Sequence, residues 1–200
     1  MRGPVRLPPH PPGLRIGLFG GSFNPPHAGH RLVSLIALRR LRLDRVWWLV
    51  SPGNPLKDTA GLPSVADRVA AARKIARHPR IVVTGVEEAL GARYTADTLK
   101  ALRLRCPAAR FVWIMGADNL AGLHRWRRWR EMAAETPFAV VDRPGATLRG
   151  AFAGGRLKAA RLPERDAPRL ADASPPAWVL LHDRRSTLSS TALRAAVSQA

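Results

Sequence analysis

A short apolar run, Ile16 to Phe19, stops at Gly20 and Gly21 and passes through Ser22-Phe23-Asn24-Pro25-Pro26 into a segment of different period. There Leu32, Leu35, Ile36 and Leu38 to Leu43 recur at roughly helical spacing. Arg45 to Val50 is then a second apolar run, continuous rather than alternating, as in a strand buried on both faces of a parallel sheet. Strand, glycine turn, helix and strand make a βαβ unit, which commits the chain to parallel pairing and to a crossover helix.

The turn itself is suited to an anion. Glycines at 20 and 21 permit torsions and close approaches that a Cβ would forbid, so successive N–H groups can face a ligand. His27 and His30 are three apart in the expected first helical turn, which puts both imidazoles on one face, beside the unpaired N–H groups and the positive dipole end. Phosphate is favoured at such a place. Read separately, the same residues are a plain tight turn and two histidines near a helix start.

The pattern repeats downstream. The loop Ser51-Pro-Gly-Asn-Pro-Leu-Lys57 follows the second strand at its carboxyl end, where open α/β sheets place ligands; Lys57 there is either a phosphate contact or a solvated lysine. Ser64 with Asp67 resembles a capping box and opens an Ala/Arg-rich helix that should stop before Pro79. Arg80 to Thr84 is a third strand, and Tyr94-Thr-Ala-Asp-Thr-Leu99 a helix start with Thr95 at the cap and Leu99, Leu102 and Cys106 on the buried side. Arg110 to Met115 is a further strand, ending in Gly116-Ala-Asp118-Asn119; an Asp at that spacing can accept both hydroxyls of a ribose or cap the next helix. Trp126 and Trp129, in His124 to Arg130, would share a helical face, as core residues or as a basic stacking platform for single-stranded nucleic acid. Pro137 to Val141 and Trp178 to Leu181 are the last strands. Between them lie an Arg143-Pro-Gly145 turn and a Gly-, Ala-, Pro- and Arg-rich stretch, 146–176, expected to be an irregular insert. Leu188-Ser-Ser-Thr-Ala-Leu-Arg194 opens a final helix with three hydroxyls and an arginine.

Composition narrows the class. The chain has 200 residues, 46% of them hydrophobic, enough for one domain with a sizeable core. A formal net charge of +19 attracts phosphate-bearing partners, but only four of the 33 basic residues are lysines, and arginine-rich composition alone produces the same figure. One cysteine, Cys106, excludes an internal disulfide and a cysteine-based zinc set, which fits a reducing cytosol. No apolar run reaches the length of a membrane span. Residues 1–13, with prolines interrupting any apolar core of a signal peptide, are expected to be a flexible tail or the product of a start codon chosen too far upstream.

Strands alternating with helices, with polar motifs at successive strand ends, predict a doubly wound, Rossmann-like parallel sheet with helices on both faces. Right-handed crossovers gather those strand ends at one edge. No residue there is a covalent nucleophile with an evident base, so chemistry by positioning and charge stabilisation of a phosphoryl centre is the better inference.

These residues resemble a known family. Gly-x-Phe-Asn-Pro-x-His-x-Gly-His, from Gly21 to His30, is similar to the signature of the nucleotidyltransferase superfamily. The segments SerProGlyAsnProLeuLys, TyrThrAlaAspThrLeu, GlyAlaAspAsnLeu, TrpArgArgTrp, ArgProGly and LeuSerSerThrAlaLeuArg, in order up to Arg194, look like bacterial nicotinate-mononucleotide adenylyltransferases. The resemblance implies a single nucleotidyltransferase domain over 14–200 that joins the AMP of ATP to nicotinate mononucleotide, releasing pyrophosphate and deamido-NAD, with magnesium, in the cytoplasm. It implies an ATP side of Gly20, Gly21, Ser22, Phe23, His27, His30, Gly116, Asp118, Arg143, Ser189, Ser190, Thr191 and Arg194, with His27, His30 and Arg194 catalytic. The mononucleotide side falls to Asn24, Lys57, Tyr94, Thr95, Trp126 and Arg127. Leu188 and Leu193 stand where the family often has isoleucine, and the 146–176 stretch matches no motif, which puts adenine-side contacts in doubt. No metal cage, no specific nucleic acid and no membrane is implied, and none of the motifs bears on oligomeric state. The rivals are adenylyltransferases for phosphopantetheine or FMN, a class I aminoacyl-tRNA synthetase, for which the chain is short, and a nucleic-acid-binding protein.

Overall fold

The computed structural model describes residues 5–53, 61–142 and 160–182. The two strands of the first unit, β1 (Arg15–Gly21) and β2 (Arg45–Val50), pair in parallel from Ile16 opposite Arg45 to Gly21 opposite Val50. β3 (Ile81–Thr84), β4 (Arg110–Gly116), β5 (Phe138–Val141), β6 (Ala160–Arg161) and β7 (Ala177–Leu181) complete a sheet in the order β3-β2-β1-β4-β5-β7-β6. Every pairing in it is parallel.

The helices are α1 (Ala28–Arg40), α2 (Val65–Ala76), α3 (Val86–Leu90), α4 (Thr95–Arg105), α5 (Ala117–Gly122) and α6 (Trp129–Glu135). Short 3₁₀ segments cover Leu123–Arg125 and Glu164–Asp172. Strand alternation sorts the apolar residues between two layers. Phe19, Trp48, Val112 and Ile114 pack with Val33, Ile36, Val69 and Leu170 on one face. Leu18, Trp47, Trp113 and Phe138 pack with Leu99, Leu102, Leu120 and Met132 on the other. Both faces of the sheet are thus covered, and the expected doubly wound fold is the one observed.

The chain builds outward from β1 through β2 to β3, then returns to β4 on β1's other side. That reversal is the topological switch point, outside whose strand carboxyl ends ligands bind. Here the sheet also parts. β1 stays paired with β2 to Gly21, and β4 with β5 to Gly116, whereas β1 and β4 pair only as far as Phe19 opposite Ile114.

Several local expectations are corrected. Residues 5–13 are not a flexible tail: Val5 and Leu7 pack on the Trp47 layer, the His10 ring meets Trp47 edge-on at 6.2 Å, and Gly13 donates its N–H to the Ala108 carbonyl at 2.8 Å. Prolines at 8, 9, 11 and 12 stiffen that segment, which lowers the entropy lost on docking. The supposed irregular insert contributes order as well: β6 and the 3₁₀ segment lie within 146–176, with Ala167 and Leu170 fully buried. Trp126 and Trp129 do not share one helix, because Arg128 between them takes a left-handed conformation (φ 55°) and α6 begins only at Trp129. Both still pack on the Trp113 layer. The expected helix from Leu188 to Arg194 lies outside the described residues.

Candidate active site

The expected glycine turn is the end of β1 itself. Neither Gly20 nor Gly21 has a positive φ; the left-handed residue is Phe23 (φ 47°), buried and stacked on Trp48 with ring centroids 4.8 Å apart and planes 13° apart. Gly20 is required by a close approach instead. A Cβ there would lie 2.5 Å from Cη2 of Trp113, whereas one at Gly21 would come no nearer than 3.4 Å to the Phe23 ring.

After this turn His27 is the N-cap of α1 and His30 its third residue. The His27 backbone N–H donates to His30 Nδ1 at 3.1 Å. A nitrogen that accepts cannot carry the proton, so neutral His30 bears it on Nε2 and presents a donor suited to a phosphate oxygen. The His27 and His30 rings lie 3.8 Å apart, and the Phe23 ring lies 4.8 Å from that of His30. Behind them Trp48 Nε1 donates to Ser34 Oγ at 2.7 Å, and Ser34 Oγ donates to the His30 carbonyl at 2.9 Å. Ser34 and Trp48 thus hold the backbone at His30, a link that sequence reasoning missed: Trp48 reads there only as part of an apolar strand, and Ser34 carries no signal.

Across the parted strands, Gly116 ends β4 and takes the N-cap position of α5, so Asp118 is not its N-cap residue. Asp118 stands exposed in the first turn of α5, at the carboxyl edge, where it can accept from a ribose.

The segments expected on the mononucleotide side also meet. Tyr94, not Thr95, is the N-cap of α4; Thr95 is its first residue. The Arg127 guanidinium stacks 4.8 Å over the Tyr94 ring, and Arg128 pairs with Asp97 on the first turn of α4. Trp126 meets Trp113 edge-on at 6.2 Å, so the indole that lies against Gly20 also supports the Trp126 turn. Below the start of α4, Thr98 Oγ donates to Glu87 Oε1 at 2.8 Å. Burial pushes the Glu87 carboxyl up to about 7 from an ordinary 4.5, the Thr98 hydroxyl opposing the shift. Lys57, Arg143, Ser189, Ser190, Thr191 and Arg194 lie outside the described residues.

The model of the cytidylyltransferase-like family matches residues 18–196. A relative from Bradyrhizobium sp. (strain BTAi1), named as a probable nicotinate-nucleotide adenylyltransferase, is 60% identical over 183 residues, covering 90% of this chain and 95% of that protein. One of the same name from Methylorubrum extorquens is 61% identical, covering 90% and 99%. The chain belongs to the nicotinate-nucleotide adenylyltransferases. A solved member of that activity, the Plasmodium falciparum nicotinic acid mononucleotide adenylyltransferase complexed with APC, shares the fold with a TM-score of 0.66 at 17% identity, over 91% of this chain and 83% of that one. The same parasite protein is also solved complexed with NaAD, at the same TM-score. The span matched by the family model takes in β1 from Leu18, α1, β2 and the parted strand ends.

Proposed function

We propose that the chain transfers the AMP of ATP to nicotinate mononucleotide at the parted carboxyl ends of β1 and β4, forming nicotinate adenine dinucleotide and pyrophosphate in NAD biosynthesis. The observation that carries the reading is the pair His27 and His30, held at the start of α1 beside the switch point with one imidazole fixed as a donor. The 5′-phosphate oxygen of the mononucleotide attacks the α-phosphorus of ATP in line, and the bond to the pyrophosphate oxygen breaks as the new P–O bond forms. His30 Nε2–H and the first N–H groups of α1 take up the charge that grows on the phosphate oxygens. Gly116 and Asp118 seat the adenosine ribose, while Tyr94, Thr95, Trp126 and Arg127 seat the pyridine nucleotide. Ser189, Ser190, Thr191, Arg194 and Arg143 act on the triphosphate and Asn24 and Lys57 on the acceptor, on the strength of their motifs.

Magnesium suits this donor set as an ion carried by ATP, which supplies phosphate oxygens and water and asks for no protein cage. Among the described residues no group of three or more His, Cys, Asp and Glu could hold a metal by itself. When bound, the ion neutralises charge on the triphosphate. The cytosol is the proposed compartment; among the described residues no helix is long and apolar enough to cross a membrane. No specific nucleic-acid partner is proposed, because the arginines are dispersed along the chain rather than gathered in one stripe.

Purified protein with ATP, magnesium and nicotinate mononucleotide should release pyrophosphate and yield the dinucleotide by mass. Turnover only with another acceptor, such as FMN or phosphopantetheine, would overturn the reading.

A further inference from the structure

The ladder between β1 and β2 ends with Ser51 donating its N–H to the Gly21 carbonyl at 2.9 Å. Beyond that bond the two chains diverge, β1 into the histidine turn and β2 into the loop that begins at Ser51. Their next carbonyls are met by one side chain. Arg68, on the first turn of α2, donates from Nη1 to the Ser22 carbonyl at 2.8 Å and to the Ser51 carbonyl at 2.7 Å. Its Nη2 reaches the Pro52 carbonyl at 3.3 Å and its Nε the Pro63 carbonyl at 2.8 Å. The residue is 3% exposed.

Burying a cation against neutral carbonyls is costly, and apolar packing would stabilise the same helix more cheaply. What the fork achieves is geometric: four carbonyls from three separate segments are fixed to one rigid plane. The first of them belongs to Ser22, directly before Phe23, the left-handed residue from which the chain enters the histidine turn. A positive φ on a bulky residue persists only where its surroundings hold it. Trp48 holds the Phe23 ring by stacking, and Arg68 holds the peptide on the other side.

We propose that Arg68 is a positioning residue for adenylyl transfer, setting the turn that leads to His27 and His30 against Ser51 and Pro52 at the end of β2 by tying together the Ser22, Ser51 and Pro52 carbonyls. It touches neither substrate; it acts through the backbone of the turn. The inference rests on the function proposed above, and wild-type turnover of nicotinate mononucleotide tests that function independently of any Arg68 variant.

The test compares Arg68→Lys and Arg68→Met with wild type in melting temperature and in kcat and KM for ATP and the mononucleotide. Lysine keeps the charge but not the fork. Misplacement of catalytic groups by about 1 Å costs roughly a hundredfold, so a folded Arg68→Met should lose about that factor, mainly in kcat. Arg68→Lys should fold and recover part of the loss. A merely structural arginine would instead lower the melting temperature and leave kcat per folded molecule unchanged. Arg68→Lys within twofold of wild type in kcat, or failure of both variants to fold, would overturn the proposal. So would a loss no larger than the unfolded fraction explains.

Discussion

Gly20 faces the Trp113 indole so closely that a Cβ would lie 2.5 Å from its Cη2, and Trp113 is itself buried and braced edge-on by Trp126. The ring cannot retreat without moving the Trp126 turn, the proposed mononucleotide side. Gly20→Ala should therefore cost about 1–3 kcal/mol by overpacking and lower turnover with it. Gly21→Ala meets only ordinary contact with Phe23 at 3.4 Å and should keep its melting temperature and most of its turnover. Thermal melts with kinetics on both variants check this, and equal stability of the two would refute the steric account.

The bond from the His27 N–H to His30 Nδ1 makes the two histidines unequal. His30→Ala removes the proposed phosphate donor and also the acceptor at the helix start, the latter worth about 1 kcal/mol. His27→Ala leaves the backbone donor in place. Both should lose a hundredfold or more in kcat, about 3 kcal/mol for a charge-stabilising donor; His27→Ala loses buried packing against His30, and His30→Ala loses the acceptor at the helix start as well. A folded variant with near-wild-type kcat would make that histidine structural.

The apolar runs that became β1, β2 and β4 were legible because strands buried on both faces need no partner to announce them. The candidate site was legible for a related reason: turn motifs at parallel strand ends are brought to one edge by topology alone. What escaped depended on distant partners. Glycine at 20 reads as conformational freedom, yet the cause is an indole from β4. Arg68 reads as one of many helix arginines, since its carbonyls lie 46 and 17 residues earlier. The break between Trp126 and Trp129 turns on Arg128, which pairs with Asp97, 31 residues earlier on α4, and adopts a torsion that composition does not signal.

Glu87 makes stability depend on pH. Its folded carboxyl titrates at about 7 against an ordinary 4.5, so the folded state holds a proton that the unfolded chain has released between those values. The contribution is fully present below about 4.5 and is lost as pH rises through about 7. The gap between 4.5 and about 7 amounts to roughly 3 kcal/mol. Glu87→Gln keeps an acceptor for Thr98 without the charge. Its melting temperature should match wild type near pH 4.5 and exceed it increasingly as pH rises through about 7; parallel curves would show that Glu87 does not titrate in this window.

Preference for nicotinate over nicotinamide should reside at the start of α4 and in the turn that stacks on it. Trp126 can stack on the pyridine ring, but stacking scarcely distinguishes a carboxylate from a carboxamide. Discrimination needs donors without acceptors, such as the N–H groups of Thr95 and Arg127, which suit both carboxylate oxygens and oppose the NH₂ of an amide. Each mispaired buried group costs roughly 1–3 kcal/mol, so two donors give a preference of roughly several hundredfold. Thr95 is the first residue of α4, after the Tyr94 cap, and proline is well tolerated at that position. Thr95→Pro should therefore fold, delete one donor and narrow the acid-to-amide ratio. Trp126→Ala should weaken both mononucleotides together and leave the ratio nearly unchanged. The measurement is kcat/KM for the two mononucleotides in wild type and both variants; equal use of acid and amide by wild type, or an unchanged ratio in folded Thr95→Pro, would remove the helix start from the account.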